Sequence, residues 1–217
     1  MNRRHVEQAS SLISRKVIKW GRENFQSYPW RSQQEQWRSL SAEVMLQRTR
    51  ASSVIPVWLD FTERYPDLCS AANADPNEFR LLLRPLGLTW RADLLKKLLE
   101  QIKEISLIPL TKKELIQLPA VGDYVASAFL SLHASRRAVI IDANVVRWIC
   151  RMTGDTYDGE TRRQKWLQEL ADKLTPARVF RDYNYSVLDL TIGLCKRNPK
   201  CSKCPVIKHC CYGNNKH

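Results

Sequence analysis

The sequence predicts an all-α fold. Three observations carry that expectation: apolar residues recur at helical spacing through most of the chain, glycine is scarce at 7 of 217 residues, and strand-like alternation is nearly absent. Taken in order, Met1 to His5 runs straight into a polar, helix-like pattern with no apolar leader segment, which predicts an intracellular, cytoplasmic protein. Val54, Val57, Trp58 and Phe61 form a stripe at i, i+3, i+4, i+7, and Leu94, Leu95, Leu98, Leu99 and Ile102 form a second. Thr111-Lys112-Lys113-Glu114 reads as a capping box opening a short helix through Gln117. Leu118-Pro119-Ala120-Val121-Gly122 then ends it, and Tyr124 to His133 reads as a second helix. Ala138 to Ile141 is the one β-branched run, too short to found a sheet, and Gly154 and Gly159 break the later helices.

A chain of this length can bury one sizeable core or two small lobes. Hydrophobic residues make up 44%, which excludes a disordered chain, and no apolar run approaches the roughly 20 residues of a membrane span. The formal net charge is +13, from 35 Lys and Arg against 22 Asp and Glu. That excess points to a polyanion, because neutralising phosphates releases counterions whatever the base sequence. Of seven cysteines, Cys69 and Cys150 stand alone while Cys195, Cys201, Cys204, Cys210 and Cys211 crowd the C-terminal stretch. One tight cluster in an intracellular chain indicates metal binding rather than a disulfide framework.

Three segments can carry chemistry. The turn at Leu118, Ala120 and Gly122 presents backbone N–H groups at a helix start, where a phosphate oxygen fits; an ordinary helix–helix turn is the plainer alternative. Asp142, in Ile141-Asp142-Ala143-Asn144-Val145-Val146-Arg147, lies between an apolar stretch and a helix, where a carboxylate is also a common N-cap. Cys195-x5-Cys201-x2-Cys204-x5-Cys210 supplies four thiolates at spacings that suit structural zinc or a cubane iron–sulfur cluster.

With Tyr28-Pro29-Trp30-Arg31 and Ala42-Glu43-Val44-Met45-Leu46-Gln47-Arg48-Thr49, these segments stand in the order of the helix-hairpin-helix DNA glycosylase superfamily, which the chain resembles along nearly its whole length. That superfamily includes endonuclease III, MutY-type adenine glycosylases and mismatch thymine glycosylases. The resemblance implies two helical lobes: a six-helix lobe over 28–134 with the hairpin at about 111–133, and a second lobe from 1–27 and 135–217 with a cluster loop at 195–210. It implies a monomer that binds double-stranded DNA at a mismatched or damaged base. It gives Asp142 the essential catalytic role, steadying oxocarbenium charge on the sugar, and Glu43 the handling of the leaving base and water from partly desolvated surroundings. Tyr124 stands where bifunctional relatives carry a Schiff-base lysine, so the resemblance implies base removal with little strand cleavage. Arg48 matches the residue inserted into the vacated stack, and Leu88 an intercalating loop position. Trp30, Leu46, Ala51 and Tyr185 fall at base-pocket or wedge positions. The four cysteines imply a [4Fe–4S] cluster, with the first interval one residue shorter than usual and Cys211 beside Cys210 as a competing ligand. Lys196, Arg197, Lys200, Lys203, Lys208 and Lys216, with no acidic residue from Cys195 onward, make that loop a phosphate-facing surface.

Ala51 and the absence of further sequence beyond the cysteines favour thymine or uracil opposite guanine over adenine opposite guanine or 8-oxoguanine. Tyr185 matches neither, since adenine enzymes carry Gln or Glu there and the thymine enzyme Leu. Ala120 replaces the usual hairpin glycine and constrains the turn. Asp123 weakens direct phosphate contact beside it, and Lys112 and Lys113 are expected to face phosphate or solvent. A catalytically silent DNA-binding module and a bifunctional lyase are the alternatives; joint retention of Glu43, Tyr124 and Asp142 opposes the first, and Tyr124 the second.

Overall fold

The computed structural model describes residues 3–87 and 89–214, and no strand forms among them. The helices in chain order are α1 (Arg3–Gln8), α2 (Ser10–Asn24), α3 (Gln36–Met45), α4 (Ala51–Arg64), α5 (Leu68–Ala72), α6 (Pro76–Leu83), α7 (Thr89–Ile105), α8 (Lys112–Leu115), α9 (Asp123–Ala128), α10 (Ala143–Thr153), α11 (Lys165–Leu174), α12 (Phe180–Gly193) and α13 (Cys211–Asn214). They fall into two compact units, Met1–Gln26 with Arg137–His217, and Ser27–Arg136. No helix among the described residues is long and apolar enough to cross a membrane.

The discontinuous unit is built on the pairing of α2 with α12. Ile13 and Val17 from α2, Trp148 and Ile149 from α10, Leu167 and Leu170 from α11, and Leu190 from α12 are all at most 2% exposed in one core. The two long helices approach closely at Gly21, where an added Cβ would fall 1.9 Å from Ser186 Oγ and 3.0 Å from its Cα. Because backbone lies behind the side chain, the clash cannot be relieved by a rotamer change alone. Gly21→Ala should therefore lower stability by about 3 kcal/mol, read as a fall in thermal midpoint that Ser186→Gly partly restores. Gly154 ends α10 in the left-handed region at φ +86°, its N–H donating to Cys150 O at 2.8 Å. Beyond that turn Asp155 accepts two hydrogen bonds from Arg3, at 2.9 and 2.7 Å, while the Arg3 guanidinium stacks 3.7 Å over Trp166. That pair secures α1, and the guanidinium holds the Asp155 carboxyl below the usual carboxylate range.

The continuous unit wraps around α3, whose residues Ser39 to Met45 are all buried. The two apolar stripes read from sequence face this core: Val54, Val57, Trp58 and Phe61 on α4, and Leu95, Leu98, Leu99 and Ile102 on α7 are each at most 5% exposed, with Leu94 half-buried beside them. Trp30, Trp37, Trp58, Phe61, Tyr65 and Phe79 add a chain of ring contacts with centroids 5.5 to 6.3 Å apart.

The hairpin differs from its sequence reading in three respects. The first helix stops at Leu115 rather than Gln117, because the chain then tightens into i→i−3 turns, Gln117 N donating to Glu114 O at 3.1 Å and Leu118 N to Leu115 O at 3.0 Å. Its cap is one-sided: Thr111 Oγ1 accepts from Glu114 N at 3.3 Å, but the Glu114 carboxylate takes the Thr111 hydroxyl rather than the Thr111 N–H. The second helix begins at Asp123 and passes at Phe129 into a π-helical turn, Phe129–His133, closed by Ala134 N donating to Phe129 O at 3.0 Å.

Candidate active site and cysteine loop

Within the Ser27–Arg136 unit, Glu43 sits on the buried face of α3 at 3% exposure and bonds His133 Nε2 through Oε1 at 2.9 Å. Past the end of α3 the chain turns through a short loop that leaves Leu46 half-buried and Arg48 exposed, with Arg48 in the left-handed region at φ +55°. Two side chains that sequence reasoning passed over hold this loop. Arg91, 2% exposed on α7, donates through Nη1 to Met45 O at 2.9 Å and Thr49 Oγ1 at 2.7 Å. Burial and the charge of Arg48 lower its pKa from the usual guanidinium value. Gln47 Nε2 donates to Ala120 O at 2.8 Å, tying the Arg48 loop to the hairpin turn. The sequence signal for Arg91 was its place on the apolar side of α7, one residue before Ala92 and four before Leu95; Gln47 gave none.

Ala120 adopts φ +62°, the conformation for which glycine is favoured, so the constraint expected of this replacement is present in the backbone. Leu118 is buried, and Gly122 caps α9 from extended backbone. Tyr124 is half-buried on the first turn of α9. Lys112 and Lys113 are exposed, as expected, and Lys112 Nζ pairs with the also exposed Asp123 Oδ1 of the same hairpin at 2.9 Å. Trp30 is 3% exposed, stacked on Tyr28 at 5.0 Å and edge-on to Trp58, which places it in the core of this unit. Ala51 opens α4 and is half-buried. Leu88 lies outside the described residues.

Within the other unit, Asp142 is the N-cap of α10: Oδ1 accepts from Val145 N at 2.7 Å and Oδ2 from Asn144 Nδ2 at 2.8 Å. The capping alternative held open from sequence is thus realised. It leaves the carboxylate half-buried and fixed at the start of a helix by two donors, one of them a side chain. The support continues inward, since Arg147 donates to Asn144 Oδ1, Cys195 O and Thr191 O, each at 2.9 Å. A hydrogen-bonded series therefore runs from Asp142 through Asn144 and Arg147 to the backbone of the first cysteine. Tyr185, 8% exposed on α12, packs edge-on against Phe25 and lies under the Arg181 guanidinium at 5.8 Å.

Cys195, Cys201, Cys204 and Cys210 line one cavity with Trp148, Arg151 and Val206, whereas Cys211 is not among its walls. The short first interval is spanned by a tight turn, with Cys195 N donating to Leu190 O at 2.8 Å and Lys200 N to Leu194 O at 3.0 Å. Arg151 Nη1 reaches Cys195 Sγ at 3.5 Å and Lys196 O at 2.7 Å, and Gly213 N donates to Cys210 Sγ at 3.4 Å. Burial pushes the Cys204 thiol up to about 12, with the nearby Cys195, Cys210 and Cys201 adding to the rise. Four thiols lining one cavity are a donor set that suits a positively charged, thiophilic group, to which they would bind as thiolates. Lys196, Arg197, Lys200, Lys203 and Lys208 are exposed around this cavity, and Lys216 lies outside the described residues.

A helix–hairpin–helix, an aspartate capping the next long helix and a four-cysteine loop, in this order, define a base-excision DNA repair protein. Residues 41–173 match the family model described as HhH-GPD superfamily base excision DNA repair protein, and the chain belongs to that family. It is 33% identical over 205 residues to a thymine/uracil-DNA glycosylase of Pyrobaculum aerophilum, covering 90% of this chain and 88% of that one. It is 32% identical to a thymine-DNA glycosylase of Aeropyrum pernix, over 94% and 95% of the two chains. Among solved structures it is similar to that of a thermostable thymine-DNA glycosylase, with a TM-score of 0.87 and 28% identity over 96% of this chain and 98% of the other.

Proposed function

We propose that the chain is a monofunctional DNA glycosylase that removes thymine or uracil mispaired with guanine, working in the cytoplasm or on the nucleoid. The observation that carries this reading is its identity of 32–33% along nearly the full length of thymine and thymine/uracil glycosylases. The exposed cations and the net charge of +13 support a duplex as the partner.

In this mechanism the target nucleotide is extruded and Arg48 fills the gap, its guanidinium able to address the orphaned guanine. The C1′–N1 bond breaks with its electron pair on the pyrimidine, and the Asp142 carboxylate, held by Val145 N and Asn144, steadies the positive charge left on the sugar. Water adds its hydroxide to C1′, and Glu43 carries the water's proton toward the departing base. Tyr124 cannot form an imine, so the product is an abasic site in an unbroken strand. Cys195, Cys201, Cys204 and Cys210 would hold a [4Fe–4S] cluster, whose chemistry here is to shape a cationic loop rather than to react. Backbone N–H groups at Gly122 and the hairpin turn face a phosphate.

The test is a panel of duplexes carrying thymine, uracil or adenine opposite guanine or 8-oxoguanine, incubated with the full chain and then treated with alkali. Strand breaks should follow alkali at thymine and uracil opposite guanine, with under about 5% breakage before it, and borohydride should trap almost no protein on DNA. Cleavage confined to adenine-containing duplexes would assign the adenine specificity instead. Tight binding without excision would leave a silent DNA-binding module.

A further inference from the structure

Glu43 is a buried carboxylate, and among the described residues its one hydrogen-bond partner is His133, 90 positions later in the chain. Both side chains are withdrawn from solvent, at 3% and 1% exposure. A carboxylate in such a place needs a donor, and the identity of that donor decides which oxygen remains for chemistry. His133 closes the π-helical turn Phe129–His133, and this widened turn packs on α3. The imidazole is further fixed by stacking on Phe129, with centroids 6.4 Å apart and planes 28° from parallel. Its Nδ1 is buried without a partner. A proton on Nδ1 would be stranded there, so the tautomer that fits carries hydrogen on Nε2 and donates it to Glu43 Oε1.

We propose that His133 is a positioning residue for Glu43. Its Nε2–H fixes Oε1, and with it the rotamer of the carboxylate, leaving Oε2 as the oxygen that meets the water and the departing base. The inference rests on the proposed excision role of Glu43 and adds to it a second residue, supplied by the π-helical turn, that acts only through that carboxylate. Local pattern does not reveal it, because a histidine at the end of an apolar helix ordinarily reads as a boundary residue.

The test uses single-turnover excision of uracil opposite guanine by the intact chain, with DNA affinity measured alongside. His133→Phe should slow excision by about 10- to 100-fold while leaving duplex affinity within about twofold, the scale expected for losing a hydrogen bond to a buried charged group. His133→Gln, whose amide nitrogen can occupy the place of Nε2, should recover most of the rate. In a Glu43→Gln background, His133→Phe should add no further loss, since the histidine then has no carboxylate to hold. Should the Phe variant fail to fold, His133→Met takes its place as a donor-free residue of similar bulk. Wild-type rates in the donor-free variant, equal losses for Phe and Gln, or multiplying losses in the double variant would each overturn the proposal. A wild-type chain inert on every duplex would overturn the excision reading and the proposal with it; an active wild type beside an unaffected variant overturns the proposal alone.

Discussion

Asp142→Asn should reduce excision by at least about 1,000-fold while duplex binding stays within about threefold, measured by single-turnover cleavage and by titration of a guanine–uracil duplex. The substitution isolates charge from structure. Asparagine caps a helix about as well as aspartate, so Val145 N keeps its acceptor and α10 keeps its start. The bond from Asn144 Nδ2 is the local casualty, since turning the Asn144 amide to restore it would take away the oxygen that accepts from Arg147. Asp142→Ala removes the cap as well and should cost a further ~1 kcal/mol of stability, seen as a lower thermal midpoint. An Asn variant that excises at the wild-type rate would leave Asp142 as a helix cap and nothing more.

The second large effect concerns the cysteine loop. The purified chain should be brown, with absorbance near ~400 nm, and Cys204→Ser should abolish that band. Because Val206 and Cys210 belong to the same core as Trp148, loss of the group should also loosen this unit and lower its thermal midpoint. Duplex affinity should fall about tenfold or more and its salt dependence should flatten, as the exposed lysines lose their fixed arrangement. Excision should fall further than binding, since Arg147 takes two of its acceptors from Thr191 and Cys195 and passes that support through Asn144 to Asp142. Cys211→Ser is the control: that residue lies outside the cavity wall and its loss should leave the band in place. A colourless wild-type chain that binds zinc would overturn the cluster assignment.

What was legible in the sequence was what local pattern encodes. The stripes on α4 and α7, the Thr111 half of the capping box and the break at Gly154 all depend on neighbours within a few residues, and each was found in its expected element. Asp142 was legible twice over, as a cap from its position and as a catalytic candidate from the resemblance. Long-range pairings were not legible. Glu43 with His133, Arg91 with Met45 and Thr49, and Gln47 with Ala120 join positions 42 to 90 residues apart, and no periodicity registers them. The π-helical turn was missed for a related reason: Phe129 to His133 carries an ordinary helical pattern, and the extra residue in the turn comes from packing rather than propensity.

The division of the chain bears on how it is made. Residues Ser27 to Arg136 are contiguous, so every contact inside that body is available once this stretch has left the ribosome. The other body is different: α2, complete by Asn24, packs on α12, which begins only at Phe180. Until α12 has been made, the side of α2 that it covers lacks its main partner, and this long loop closure has to follow the central stretch. Vectorial assembly should therefore yield a settled central domain first, with α2 held in waiting until α12 has been made.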